Sequence, residues 1–254
     1  MTGMCDGKVV LVTGSGGGMG RAGAEIFARE GAEHVYVADV LDDGGRETVA
    51  LVEAAGGTGT FVHLDVTDED AIEALLARIV AERGRLDAAW NNAGINDVSK
   101  PFTDFTKAEW DRMIAVNLTS VFLCMKHELR QMVAQGSGAI VNTSSGAGVI
   151  AAPGLPHYTA AKHGVLGLTK AGAQEFNGKG IRVNAVLPGM TDTPMIQSWF
   201  ETNPQLAQMV LASMPGGKLG RPEQVAEAAV WLCSDRADWV SGLSMLVDGG
   251  GVNR

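Results

Sequence analysis

The chain has 254 residues, 46% of them apolar and 19% charged, with 20 basic side chains against 29 acidic ones and a net charge of −9. That size and balance fit one large α/β domain with a sizeable core, and the acidic surplus argues against a nucleic-acid or anionic-membrane partner. No run of 18 apolar residues is present, the short N-terminal apolar run stops at glycine unlike a secretory signal, and Cys5, Cys124 and Cys233 are too far apart to read as a disulfide framework or a zinc site, so the expected location is the cytoplasm.

Short β-branched runs alternate with longer amphipathic ones. In chain order, KVVLV (8–12) reads as a strand, followed by a helical pattern near 19–30. Strand HVYVAD (34–39), a helix near 42–55, strand TFVHLD (60–65) and a helix near 68–83 come next. Then follow strand LDAAW (86–90), a helix over 107–134, strand AIVNTS (139–144), a helix over 158–177, strand IRVNAVL (181–187), a helix near 222–233 and strand LSMLVD (243–248). The strands are almost continuously apolar, as expected where helices cover both faces of a sheet. TDEDAIEALL (67–76) opens with a threonine placed to cap its helix and early acids, and Asp42-Asp43 reads as another helix start. The alternation predicts a single doubly wound parallel sheet of about seven strands, with no linker across residues 1–254.

One segment breaks the pattern. Residues 190–217 are rich in Met and aromatic residues, contain two internal prolines and leave through Pro-Gly-Gly. Such an insert after a strand end reads either as a substrate lid or as a pair of short helices that finish the core, with Trp199 and Phe200 as its anchors.

TGSGGGMG (13–20) follows the first strand and opens a helix. In a chain with 34 glycines the string arises about once by chance, so its position carries the weight. There, Gly14, Gly18 and Gly20 let backbone approach a pyrophosphate, and the helix N-terminus supplies free N–H groups. Asp39 ends the second strand, where a carboxylate can accept from both ribose hydroxyls and repel a 2′-phosphate. Neither Ser15 in the loop nor Val40 after the acid offers a positive charge, so NAD is expected over NADP.

HYTAAKHG (157–164) puts one of only two tyrosines four residues before a lysine, on one helical face. His157 and His163 flank the pair but, six apart, point to different sides. No metal site is expected there, and His157 is kept as a candidate substrate contact.

The glycine loop, the acid, NNAG (91–94) and Tyr158-x-x-x-Lys162, taken together, resemble the short-chain dehydrogenase/reductase family over essentially the whole chain. Further matches are HLDVTD, with Asp65 and Val66 where the family holds adenine, and VNLTSVF, with Asn117 at the helix-kinking asparagine. IVNTSSGAG supplies Ser145, LPGMTDTPM supplies Pro188, Gly189 and Thr193 for the nicotinamide end, and VSGLSMLVDGG resembles the last strand and subunit-contact region. The departures are an extra glycine in the loop and Met190. The resemblance implies a Rossmann-like fold, a homotetramer and a hydride transfer between NAD(H) and an alcohol or ketone. Of the site residues, it implies a cofactor cradle that also takes in Met19, Asn92, Ala93 and Gly94. It further implies Tyr158 as acid/base, Lys162 lowering its pKa and holding ribose, Ser145 on the substrate oxygen, and Asn117 supporting a proton path. A phenol has a pKa of ~10, and lowering it by two to three units takes about 3–4 kcal/mol. One ammonium ~4 Å away at an effective dielectric near 20 supplies roughly 4 kcal/mol.

Neither 190–217 nor GAGVIAAPGLPH (146–157) contains Lys or Arg, while Met195, Ile196, Trp199 and Met209 are present. A neutral, fairly apolar secondary alcohol or ketone is therefore expected, with Met195 and Trp199 among its contacts. Two rivals stay open: a 3-oxoacyl-thioester (acyl-carrier-protein) reductase using NADPH, and a non-catalytic dinucleotide sensor.

Overall fold

β1 (Val9–Thr13), β2 (His34–Asp39), β3 (Gly59–His63), β4 (Ala88–Asn91), β5 (Gly138–Thr143), β6 (Ile181–Pro188) and β7 (Ser244–Val247) lie in one sheet in the order β3-β2-β1-β4-β5-β6-β7. Every neighbouring pair is parallel. The structure is a computed structural model that describes residues 3–202 and 204–252.

β1 shows why the strands carry no polar alternation. Val10 and Val12 point into one apolar layer with Phe27, Trp90 and Ala229, while Val9 and Leu11 point into the other with Ile72, Leu75 and Val165. Helices α1 (Gly18–Arg29), α2 (Asp42–Ala54) and α9 (Pro222–Cys233) cover the first face; α3 (Glu69–Arg83), α5 (Ser120–Gln135) and α6 (Pro156–Phe176) cover the second. All three cysteines are buried free thiols. No described helix is long and apolar enough to cross a membrane.

Three local expectations change. The helix expected over 107–134 is two helices, α4 (Lys107–Ile114) and α5, joined by a wide π-type turn at Ala115–Thr119. Asn117 sits in that turn and leaves the regular ladder to bond the Ile95 backbone, donating to its carbonyl at 3.1 Å and accepting from its N–H at 3.2 Å. The cap of α3 is Asp68, accepting from Ala71 N, because Thr67 is engaged with Asp65 instead. The strand expected over 86–90 pairs over Ala88–Asn91, so it ends directly at the NNAG turn.

Residues 190–217 form two short helices, α7 (Pro194–Thr202) and α8 (Pro204–Ser213). They are tied at the base by a parallel bridge between Thr191 and Gly220, with Asp192 N donating to Gly220 O at 2.8 Å. Met195 and Met209 stay exposed, so this hairpin does not simply complete the core.

The order of strands reverses between β1 and β4. Crevices beyond the carboxyl ends of strands at such a point are where parallel sheets bind ligands, and the glycine loop and NNAG leave from these two strands.

Candidate active site

The glycine loop is shaped by close approach. Gly14 has φ +64°, and a Cβ there would lie 2.6 Å from Ala93 Cα. Gly18, at φ +53°, opens α1, whose N-cap residue Gly17 gives no side-chain cap and so leaves the first N–H groups without one. Asp39 stands beside this loop, its carboxylate accepting from Gly16 N at 2.7 Å and Leu41 N at 2.9 Å. Uncapped amides, a cradle that a Cβ would fill, and a carboxylate at the strand end fit a dinucleotide.

Several expected contacts take different roles. The Ser15 hydroxyl is fully buried and donates to Val12 O at 2.8 Å, so its side chain braces the loop rather than facing a ligand. Asn92 donates to Gly14 O at 2.9 Å, tying β4 to the loop, and Thr13 Oγ1 accepts from the N–H groups of Asn92 and Ala93. Asp65 is exposed and closed onto Thr67 N and Oγ1, bonds that hold its carboxyl below the usual range. Val66 is buried in the core.

Beyond the loop lies a narrow cleft of about 100 Å³. Its walls include Met19, Asn92, Gly94, Thr191 and Thr193. Asn117, Ser145, Tyr158, Lys162, Pro188 and Gly189 also line it. A second, wider cavity of about 490 Å³ shares Ser145, Tyr158, Pro188, Gly189, Met195 and Ile196 with it. Ser145 and Tyr158 therefore stand where the two spaces meet.

Ser145 begins the short turn after β5, and its Oγ accepts from Ala147 N at 3.1 Å. Tyr158 lies in the first turn of α6, half-buried, with Ser145 as its side-chain partner. Lys162 is one helical turn on, buried, its ammonium donating to Thr143 O at 3.0 Å and lying 5.6 Å from the Tyr158 ring centroid. Ser144 Oγ donates to Lys162 O, fixing the helix against β5. Burial lowers Lys162 to about 8.

The expected lowering of Tyr158 by Lys162 is not what this geometry gives. Burial of the phenol dominates and raises its pKa, with the Ser145 hydrogen bond opposing. The physical reason is that phenolate and ammonium both lose water here, and desolvation disfavours each charge.

His157 also differs from expectation. It is fully buried, packs against the Phe105 ring at 4.3 Å, and holds Asp97 at 3.2 Å rather than facing the cavity. His163 bonds the carbonyl of Thr159 one turn back. Met195 and Trp199 do line the wide cavity, with Val210 from α8 and Met214 just after it. Among its described lining residues none is Lys, Arg or His, and two, Asp97 and Asp248, are carboxylates. No group of described residues is arranged to hold a metal ion.

Thr13, Thr143 and Ser144, which orient the others through hydrogen bonds, carry no recognisable spacing of their own. Their position at strand ends was the available signal. Behind the cleft, Glu128 is fully buried and pushed up to about 7, with Asn91 as its partner at 3.0 Å.

The family model adh_short_C2, described as enoyl-(acyl carrier protein) reductase, matches residues 14–251. The chain is 40% identical over 245 residues to a 2,5-dichloro-2,5-cyclohexadiene-1,4-diol dehydrogenase of Sphingobium indicum, covering 96% of each. It is 43% identical over 243 residues to a cis-4-hydroxycyclohexanecarboxylate dehydrogenase of Sinomonas cyclohexanicum, again covering 96% of each. Levodione reductase superimposes with a TM-score of 0.93 at 36% identity, over 97% of this chain and 98% of that one. Likeness of this extent, on this fold, makes the chain a member of the short-chain dehydrogenase/reductase family, an oxidoreductase acting on CH–OH groups.

Proposed function

We propose that the protein is an NAD-dependent dehydrogenase of neutral, fairly apolar ring alcohols, built as one domain, acting in the cytoplasm as a homotetramer. The observation that carries the substrate class is the wide cavity, apolar along α7 and α8 and free of Lys, Arg and His among its described lining residues. The two relatives named above act on six-membered ring carbinols and differ in the second substituent, a hydroxyl in one and a carboxylate in the other. A wall bearing carboxylates and no cation suits the neutral alternative.

In this reading Asp39 and the glycine loop hold the adenosine and pyrophosphate, and Lys162 holds ribose. Gly94, Pro188, Gly189 and Thr193 bound the nicotinamide end. Arg21, the basic group beside Asp39's loop, is already engaged with Gly16 O, Gly44 O and Glu47, which supports NAD over NADP. Bound NAD⁺ supplies the hydride acceptor and a positive charge that favours the phenolate. Ser145 donates to the substrate oxygen while Tyr158 takes the hydroxyl proton as the carbinol carbon gives up its hydride. Lys162, buried with one carbonyl partner, stabilises the phenolate once charged. The expected proton path through Asn117 would run in the cleft that Asn117, Ile95 and Lys162 line together, with the Asn117 amide held on Ile95.

A relative 38% identical over 245 residues, the 3-oxoacyl-(acyl-carrier-protein) reductase of Thermotoga maritima, favours one second reading, a carrier-linked 3-oxoacyl reductase, for which NADPH is the expected cofactor. A spectrophotometric panel decides: cyclohexanol, cyclopentanol and their ketones against an acyl-thioester, each with NAD(H) and NADP(H). Faster turnover of ring alcohols with NAD⁺ supports the proposal; better turnover of a 3-oxoacyl thioester with NADPH overturns it. Absence of any turnover would favour a dinucleotide sensor, against which the intact set Asn117, Ser145, Tyr158 and Lys162 argues.

A further inference from the structure

The loop that follows NNAG brings polar groups into the largely apolar wall of the substrate cavity. Asp97 lines that wall with Asn96 and Ser99. Its carboxylate is fixed from two sides: Val98 N donates to Oδ1 at 2.8 Å, and His157 Nε2 lies 3.2 Å from Oδ2. His157 is itself immobilised, fully buried under the Phe105 ring and one residue before Tyr158 on α6. Further along the loop, Lys100 N donates to Gly154 O at 3.2 Å, between Pro153 and Leu155 of the cavity wall. Asp97 is thus a rigid acceptor joined to the same helix turn as the acid/base tyrosine.

A carboxylate accepts about four hydrogen bonds. The protein fills two of these positions, and the Asp97 side chain keeps 26% of its surface exposed. A substrate that merely fills the cavity with hydrocarbon would strip water from the remaining lone pairs without replacing it, which is unfavourable. A substrate with a second hydroxyl replaces that water with a charge-assisted bond. A substrate with a carboxylate there would meet Asp97 and Asp248 with no cation in the described wall to balance them.

We propose that Asp97, positioned by His157, is the acceptor for a second hydroxyl of the substrate, so that the enzyme selects ring diols over ring mono-ols and over anionic ring alcohols. This rests on the reading of the protein as a dehydrogenase of neutral ring alcohols. It adds which of those alcohols is preferred and which residues choose.

The test compares kcat/KM for 1,4-cyclohexanediol, cyclohexanol and 4-hydroxycyclohexanecarboxylate with NAD⁺. The wild-type protein is set beside Asp97→Ala, Asp97→Asn, His157→Gln and His157→Leu. The wild type favours the diol over cyclohexanol by about tenfold or more, chiefly through KM, and turns over the carboxylate most poorly. The diol-to-cyclohexanol ratio falls close to one in Asp97→Ala. Asp97→Asn, of the same size, keeps part of the ratio and improves the carboxylate. His157→Gln, whose amide can still donate to Asp97, preserves the ratio, and His157→Leu lowers it. A wild-type ratio near one, or an unchanged ratio in Asp97→Ala and Asp97→Asn, overturns the proposal while leaving the ring-alcohol reading intact. If none of the three alcohols is oxidised with NAD⁺ or NADP⁺, the ring-alcohol reading fails and this proposal with it.

Discussion

The narrow cleft and the wide cavity share Ser145 and Tyr158 but are built in opposite ways. In the cleft the walls hold each other: Asn92 on Gly14 O, Lys162 on Thr143 O, Asn117 on Ile95, and Ser144 on Lys162 O. Almost every polar group there stands at a strand end or in the first turns of a buried helix. The cavity is closed instead by Met195, Trp199, Val210 and Met214, carried on a two-helix insert whose two ends are tied to each other by the bridge between Thr191 and Gly220. The supports of the cleft therefore lie in the sheet, while the walls of the cavity come from the insert and from the loop after NNAG. Changes in the cleft alter rate across all substrates, and changes in the cavity alter the ranking among them.

The sharpest way to break that contrast is at the shared boundary. Tyr158→Phe removes one oxygen and no packing, and kcat is expected to fall about 10³-fold for every substrate, within the range for a general acid/base. NADH affinity, read by fluorescence titration, stays close to wild type because the ring remains. Retained activity would remove Tyr158 from the mechanism. Ser145→Ala is expected to cost about 10²-fold, the scale of one lost donor to a reacting oxygen. A loss that varied strongly between substrates would place Ser145 with the cavity rather than the cleft.

Behind the cleft the comparison turns from rate to stability. Glu128 donates nothing to the active site directly, yet its partner Asn91 is the first residue of NNAG. Asn91 Nδ2 donates to Glu128 Oε2, while Asn91 Oδ1 and Glu128 Oε1 are both buried without partners. A proton on Oε1 lets the two close as an acid–amide pair, consistent with burial raising the carboxyl from 4.5 to about 7. A folded-state pKa above the unfolded one means the contribution is full below pH ~4.5 and is lost as pH rises to about 7. The span is roughly 3 kcal/mol. Denaturant unfolding at pH 5 and pH 8 is expected to show this loss in the wild type and little of it in Glu128→Gln. Equal pH slopes in the two proteins would mean that Glu128 carries no such proton.

How much of this was legible in the sequence follows the same division. The strands could be read because burial on both faces leaves continuous apolar runs, and the cleft because its chemistry demands fixed spacings, such as Tyr158 to Lys162. What escaped was the direction in which side chains point. Ser15 stands where a ligand contact was expected, yet it turns inward to Val12 O. His157 is conspicuous beside Tyr158, but serves Asp97 sixty residues earlier in the chain. A kink at Asn117 was expected from the resemblance, but its partner Ile95 is one that only the folded chain brings near. For Tyr158, a pair energy at fixed distance omits the desolvation of both partners, which pushes the phenol upward.

The smallest effect should come from the insert itself. Trp199 lines the cavity from α7 and stacks at 5.5 Å on Phe200, so its truncation enlarges the space without touching Ser145 or Tyr158. Trp199→Ala is expected to change kcat/KM for cyclohexanol by less than about tenfold, the scale of a few methylenes in an apolar pocket, through KM more than kcat. Bulkier ring alcohols should gain relative to cyclohexanol, since the removed indole leaves room that only they can fill. A uniform fall in kcat for small and large rings alike would show the insert to be coupled to the chemical step. The sheet would then no longer be the sole support of the reaction geometry.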